Sequence, residues 1–219
     1  MNLCGKQRPG TGKPVYEYGS PDASVVLIEP VHVPDGMEAE AEKIREMTDM
    51  DFLLLAVRVD WYRDLSPWCA PAVSGNIPFG DGAGETLEEI LKLTGEPGRK
   101  YILGGYSMGG LFALWAACRS GAFSAVAAAS PSVWFPGFTE YMTSGTVRTE
   151  HVYLSLGDRE EKTRNPVMAT VGGQIRAIHA WLQSQGVPCC LEWNEGNHFR
   201  DLEERMAKGF AWAMKGLTT

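Results

Sequence analysis

The pentapeptide Gly105-Tyr106-Ser107-Met108-Gly109 has the form G-x-S-x-G, with the strand-like Tyr101-Ile102-Leu103 before it and an apolar run from Leu111 to Cys118 after it. That is the setting of a nucleophile elbow, a strained strand-to-helix turn that presents a serine hydroxyl above the sheet. Glycines flank the serine because strand and helix crowd it and leave no room for a Cβ, while the helix N-terminus favours a developing negative charge. The competing reading is a glycine-rich turn for phosphate. Against it, Gly104 to Gly110 has no Gly-Lys-Ser/Thr ending, offers no G-x-G-x-x-G register, and follows the third predicted strand rather than the first.

A serine hydroxyl is a weak nucleophile until a base takes its proton, and the chain offers four histidines. His198, in Glu195-Gly196-Asn197-His198-Phe199, follows the last predicted strand, where the order nucleophile, acid, histidine puts the base. His179 falls on the inner side of a predicted helix and reads as a core or boundary residue. His151 opens a strand, at the wrong sheet end. His32 follows the first predicted strand, early for a base but at the edge where a pocket forms. The third member should be a carboxylate after the fifth predicted strand, holding the imidazole tautomer and stabilising the imidazolium. In Leu156-Gly157-Asp158-Arg159-Glu160-Glu161 we expect Glu160, with Asp158 as the second candidate and the remaining acids solvated beside Arg159 and Arg164. The oxyanion needs two donors: the Met108 N–H is one, and Val31 or His32 is the candidate for the other, since Pro30 has no N–H. Trp61, Trp68 and Trp134, with Phe135, fall in loops at the same edge, where each either flanks an acyl or aromatic group of the substrate or packs its own loop, the commoner role for a single such residue.

These positions need a scaffold that gathers them at one edge. Runs of strand character at Val25–Ile28, Phe52–Val59, Tyr101–Leu103, Phe123–Ala129, Val152–Leu156 and Cys189–Trp193 alternate with helical patterns. The helices are marked by Met37, Ala41, Ile44 and Met47, by a Thr86/Glu89 capping box ahead of Leu87, Ile90 and Leu91, and by the Leu111–Cys118 run. Two more follow: a stripe from Val167 to Leu182 capped by Asn165 and Pro166 and ended by Gly186, and Leu202, Met206, Phe210 and Met214. This alternation predicts right-handed βαβ crossovers and a mostly parallel sheet covered on both faces, with ligands beyond the carboxyl ends of the strands. The Gly/Pro-rich segment from Ser66 to Gly84 is long for a loop and reads as functional or mobile.

The chain has 219 residues, which suits one domain over residues 1–219, and its 44% apolar content with seven Trp supports a core needing no disulfide or metal. With 27 acidic against 20 basic residues the net charge is −7, which argues against nucleic acid or an anionic membrane surface as partner. Two uncharged stretches, Tyr101–Cys118 and Ser120–Thr139, are broken by glycines or prolines and do not read as bilayer helices. The beginning of the sequence has no apolar signal segment, so a cytoplasmic location is expected. Five cysteines without C-x-x-C spacing are expected to be reduced and mostly buried, with Cys189 and Cys190 on opposite faces of a strand. No His/Cys/carboxylate group has ligand spacing, so no metal or cofactor is implied.

Gly-Tyr-Ser-Met-Gly-Gly at 105–110, Ser-Pro-Ser-Val-Trp-Phe at 130–135, Gly-Asp-Arg-Glu at 157–160 and Gly-Asn-His-Phe at 196–199 resemble a family of α/β-hydrolase esterases. That family includes esterase D (S-formylglutathione hydrolase), feruloyl esterases, the mycolyltransferase antigens and the trilactone siderophore esterases, the Ser-Pro-Ser-Val-Trp segment being nearest the last. The resemblance implies a three-layer α/β-hydrolase fold without a separate cap domain, with Ser107 as nucleophile and His198 as base. The acid varies in the siderophore branch, so Glu160 and Asp158 both stand. The chain departs from the pattern in its short N-terminal portion, with only Val15 to Tyr18 for the leading hairpin, and in reading Glu29-Pro30-Val31-His32 where many hydrolases have His-Gly-Gly. The expected activity is serine carboxylester hydrolysis of a small-molecule ester. Acyl transfer or thioester cleavage on the same residues, and a non-catalytic binding protein on the same fold, are the alternatives.

Overall fold

The computed structural model describes residues 6–8 and 12–217, so Cys4 lies outside the described residues. Among the described residues eight strands form one sheet: β1 (Lys6–Arg8), β2 (Val15–Gly19), β3 (Val25–Val31), β4 (Leu53–Arg58), β5 (Lys100–Tyr106), β6 (Ala125–Ala129), β7 (His151–Gly157) and β8 (Cys189–Asn194). Their order across the sheet is β1-β2-β4-β3-β5-β6-β7-β8. Only the β1–β2 and β2–β4 pairs are antiparallel; from β4 through β8 every pair is parallel. The six predicted strands are all present, and the two further ones make the antiparallel edge.

Helices α1 (Met37–Met47) and α6 (Leu202–Gly216) cover one face of the sheet. On the other lie α2 (Ala83–Leu91), α3 (Met108–Arg119), α4 (Phe138–Ser144) and α5 (Val171–Ser184). Strands β3, β6 and β7 are buried along their whole length, as strands covered on both faces must be. Small residues on the central strands let the helices come close. A Cβ on Gly104 would lie 2.4 Å from Cζ of Phe210, so the Phe210 ring of α6 rests directly on the β5 backbone. Burying that ring contributes about 2–3 kcal/mol and seats the middle of α6 on the sheet. None of the described helices is long and apolar enough to cross a membrane.

Three local expectations change. Thr86 sits inside α2, which starts at Ala83 behind Gly82, so Thr86 and Glu89 form no capping box. The hydroxyl of Thr86 is instead buried without a hydrogen-bond partner. The α-helix of the Val167 stripe begins only at Val171; before it, Asn165 accepts the N–H groups of Val167 and Met168 and caps a single 3-10 turn. The segment from Ser66 to Gly84 keeps its functional reading: it ends in α2, is tied by paired backbone hydrogen bonds between Ala70 and Phe79, and brings Ser74 and Phe79 to the wall of the cavity above Ser107. Finally, the four described cysteines are free thiols, but Cys69 is exposed and Cys118, Cys189 and Cys190 are only partly buried, because Cys189 and Cys190 lie on the edge strand β8.

Candidate active site

At the end of β5 the chain turns at Ser107 with φ 54° and ψ −116°, a left-handed conformation that a non-glycine residue adopts only under constraint. The constraint is visible in the glycines. A Cβ on Gly105 would lie 2.3 Å from the carbonyl carbon of Gly109, and one on Gly110 would lie 2.9 Å from the Gly105 oxygen. The turn therefore holds Ser107 ahead of the first residue of α3, Met108.

His198, in the loop after β8, reaches Ser107 from the side: its Nε2 is 3.0 Å from the Ser107 Oγ, and its Nδ1 is 2.7 Å from Oε2 of Glu160. Glu160 opens a 3-10 turn after β7 and is buried. Burial pushes its carboxyl up, but hydrogen bonds from His198, from the Ser130 hydroxyl and from the Gly157 N–H outweigh that effect and hold it below the ordinary carboxylate range. An ionised carboxylate only accepts, so Nδ1 carries the proton and Nε2 presents its lone pair to the Ser107 hydroxyl. The ring is steadied by Tyr106, whose centroid lies 5.2 Å away and whose hydroxyl donates to the His198 carbonyl at 2.7 Å. Burial raises the Tyr106 phenol to about 12, so it remains a donor at neutral pH.

Asp158 has a different task. Its Oδ1 accepts the Gly196 N–H at 2.8 Å, which joins the loop after β7 to the loop that carries His198. The other histidines lie elsewhere: His151 is buried at the start of β7 and bonds the Ala213 carbonyl, His179 is half-buried on α5, and His32 is exposed.

A cavity of about 530 Å³ opens above Ser107, with Met108 and His198 in its wall. Trp61, Tyr62, Phe79 and Trp134 give it aromatic sides, and Met168 and Val171 add apolar surface from the α5 end. Arg159 and Lys162, both exposed, bring positive charge to the same rim. Trp68 does not line the cavity. Its Nε1 donates to the Pro136 carbonyl and its ring stacks edge-on against Phe135 and Tyr141, so it braces the loop after β6. Val31 and His32 are also absent from the cavity wall: β3 is paired with β4 as far as Val31, whose side chain belongs to the buried cluster shared with α1 and α6, and His32 is exposed.

Other residues beside Ser107 were not anticipated from their types. The Ser132 hydroxyl lies 3.1 Å from the Ser107 Oγ, and the Ser132 N–H donates to the Ser107 carbonyl at 2.9 Å. The fully buried Arg205 reaches Glu160 from α6. Its signal was present in the sequence: Arg205 precedes Gly209 and Ala213 by four and eight residues, and small residues at that spacing mark a helix face pressed onto a sheet, where a cation must find a partner.

No family model matches the chain, and no curated protein matches it by sequence. Solved structures do. Siderophore hydrolase EstA from Aspergillus nidulans superposes with TM-score 0.69 at 20% identity over 99% of this chain and 95% of that one. An IroE-like serine hydrolase from Shewanella oneidensis gives 0.73 at 17% identity over 91% of this chain and 75% of the other. The enterobactin esterase FES from Shigella flexneri gives 0.68 at 13% identity, 99% of this chain matching 61% of that one. The chain has the three-layer α/β-hydrolase fold.

Proposed function

We propose that the protein is a serine carboxylester hydrolase. The observation that carries this reading is the unbroken relay from Glu160 Oε2 to His198 Nδ1 (2.7 Å) and from His198 Nε2 to Ser107 Oγ (3.0 Å), opening onto an aromatic-walled cavity. His198 takes the Ser107 proton as Oγ attacks the ester carbonyl, and the imidazolium that forms is stabilised by Glu160. The tetrahedral oxyanion is received by the Met108 N–H at the start of α3, where the helix dipole favours negative charge. The Ser132 hydroxyl, 3.1 Å from Oγ and able to donate or accept, helps hold Ser107 in place for the attack. Collapse expels the alcohol, which takes the proton from His198; water then repeats the sequence on the acyl-enzyme, releasing the acid and restoring Ser107.

The substrate we assign is a small ester with an aromatic acyl or alcohol part, seated among Trp61, Tyr62, Phe79 and Trp134, with negative charge on the substrate met by Arg159 and Lys162. Structural neighbours named for siderophore and enterobactin hydrolysis support testing trilactone siderophores alongside feruloyl and p-nitrophenyl esters. The test is fluorophosphonate labelling of the purified protein together with turnover on this panel. Wild type is expected to label at Ser107 and to hydrolyse at least one ester class, and Ser107→Ala to lose label and about 10⁶-fold in kcat with an unchanged fold. A wild type that neither labels nor turns over any ester would leave a binding protein on a hydrolase fold. Release of ester rather than acid in the presence of an added alcohol would instead identify acyl transfer.

A further inference from the structure

We infer that Arg205 is a positioning residue that compensates the charge of Glu160 and ties the loop of His198 to it, so that the pH dependence of the proposed reaction is set from α6. This rests on the serine hydrolase reading. Arg205 is 1% exposed and stands in the first turns of α6. Its Nη1 donates to Glu160 Oε1 at 2.9 Å, to the Ser130 hydroxyl at 3.1 Å and to the Tyr106 hydroxyl at 3.2 Å. Its Nη2 donates to the carbonyls of Glu195 and Asn197, both at 3.1 Å. One planar group thus holds the end of β5, the turn after β6, the acid on the loop after β7 and the loop carrying His198.

Two consequences follow from where the charges sit. The Glu160 carboxylate gives Oε2 to His198 and Oε1 to Arg205, Ser130 and the Gly157 N–H, so each oxygen has its own partners. A buried carboxylate without its cation would take up a proton, on itself or by holding one on His198, and either event removes the free base that the Ser107 hydroxyl needs. The charged and titratable groups around it are His198, Arg205 and Tyr106 on the packed side. On its own loop, Asp158 and Arg159 are exposed, and Glu161 is bound by Arg176 at 3.0 Å. Arg205 is therefore the buried cation among them. The second consequence is geometric: the fork reaches two carbonyls of the His198 loop, which a lysine ammonium on the same stem has no second nitrogen to do.

The experiment is the pH profile of kcat/KM on the best ester, per active site counted by fluorophosphonate. Arg205→Met removes the charge and keeps the bulk: its acid limb should move up by about one pH unit or more, costing about tenfold at pH 6 and recovering by pH 9. Arg205→Lys keeps the charge but loses the carbonyl contacts, so its limb should stay near that of wild type while kcat falls at every pH. Because Arg205→Met risks misfolding, the double variant Glu160→Gln/Arg205→Met is compared by thermal melting. If the two groups compensate each other it should melt above Arg205→Met alone. An Arg205→Met enzyme with a wild-type acid limb and only a lowered Tm, or a double variant no more stable than the single, overturns the inference and leaves Arg205 as an anchor for α6. Failure of the hydrolase reading would show separately, as absence of Ser107-dependent turnover in wild type, while the melting comparison would still report on the ion pair.

Discussion

Two acids on one loop, Asp158 and Glu160, are both close enough in sequence to serve His198, and their surroundings separate them. Glu160 is buried, bonded to Nδ1, and held ionised by its hydrogen bonds despite the burial that opposes them. Asp158 is exposed and spends its oxygen on the Gly196 N–H. Glu160→Gln should therefore lower kcat/KM at pH 7.5 by about 10³–10⁴-fold, because an amide can favour the wrong imidazole tautomer. Asp158→Asn keeps an acceptor for Gly196 and should cost less than about tenfold. Steady-state kinetics on the two variants decide it, and the opposite order would give the acid role to Asp158. The same carboxyl has a folded-state value below its ordinary 4.5, so its contribution to stability is present above that value and is lost as pH falls through the lower folded one.

The seat of α6 on β5 is built from a glycine and a ring. Gly104 lies under Phe210, with Met206 Cε 3.2 Å from where a Cβ would be, in a core without spare volume. Gly104→Ala is expected to destabilise the fold by about 1–3 kcal/mol, as overpacking does, and to displace the helix that carries Arg205. Denaturant melts would measure the loss, and Gly104→Ala/Phe210→Leu should recover part of it by vacating the space the new methyl takes. If the double variant is less stable than Gly104→Ala, the contact is not what limits the helix position. The elbow is less forgiving, since a methyl on Gly105 meets the backbone of Gly109 rather than a side-chain tip.

At the scale of the whole molecule, a second concentration of buried charge lies away from the site, between β3 and α1. Glu29 and Glu40 are both 4% exposed and face each other, with one oxygen of each lacking a partner. Burial raises the Glu29 carboxyl to about 7, and burial together with the nearby Glu29 and Glu203 raises Glu40 well above its ordinary value. A carboxyl raised in the folded state binds protons that the unfolded chain has already released, so stability falls as pH climbs from 4.5 through about 7. Tm is expected to drop by on the order of 5 °C between pH 5 and pH 8. Glu40→Gln should flatten that slope and raise Tm at pH 8. A melting curve as steep in the variant as in wild type would place the pH dependence in other groups.

Short-range chemistry was readable in the residues themselves. G-x-S-x-G between a strand and an apolar helix specifies its own turn, because the glycines are required by contacts within a few residues, and the alternation of apolar runs with helical stripes specifies a parallel sheet because each element must bury its own face. The chain order then put His198 and Glu160 at the right edge. What the residue string left open depends on groups far apart in it. Thr86 and Glu89 have the spacing of a capping box, yet that helix starts four residues earlier, at Ala83 behind Gly82. Val31 and His32 follow the first predicted strand, yet that strand stays paired to its end, and Trp68 turned out to brace a loop. Arg205 reads as one more helix cation until α6 is laid on the sheet, where it meets Glu160, 45 residues away in the chain, at 2.9 Å. Local sequence encodes which groups must be desolvated, and only the packing of the sheet and helices determines which of them meet.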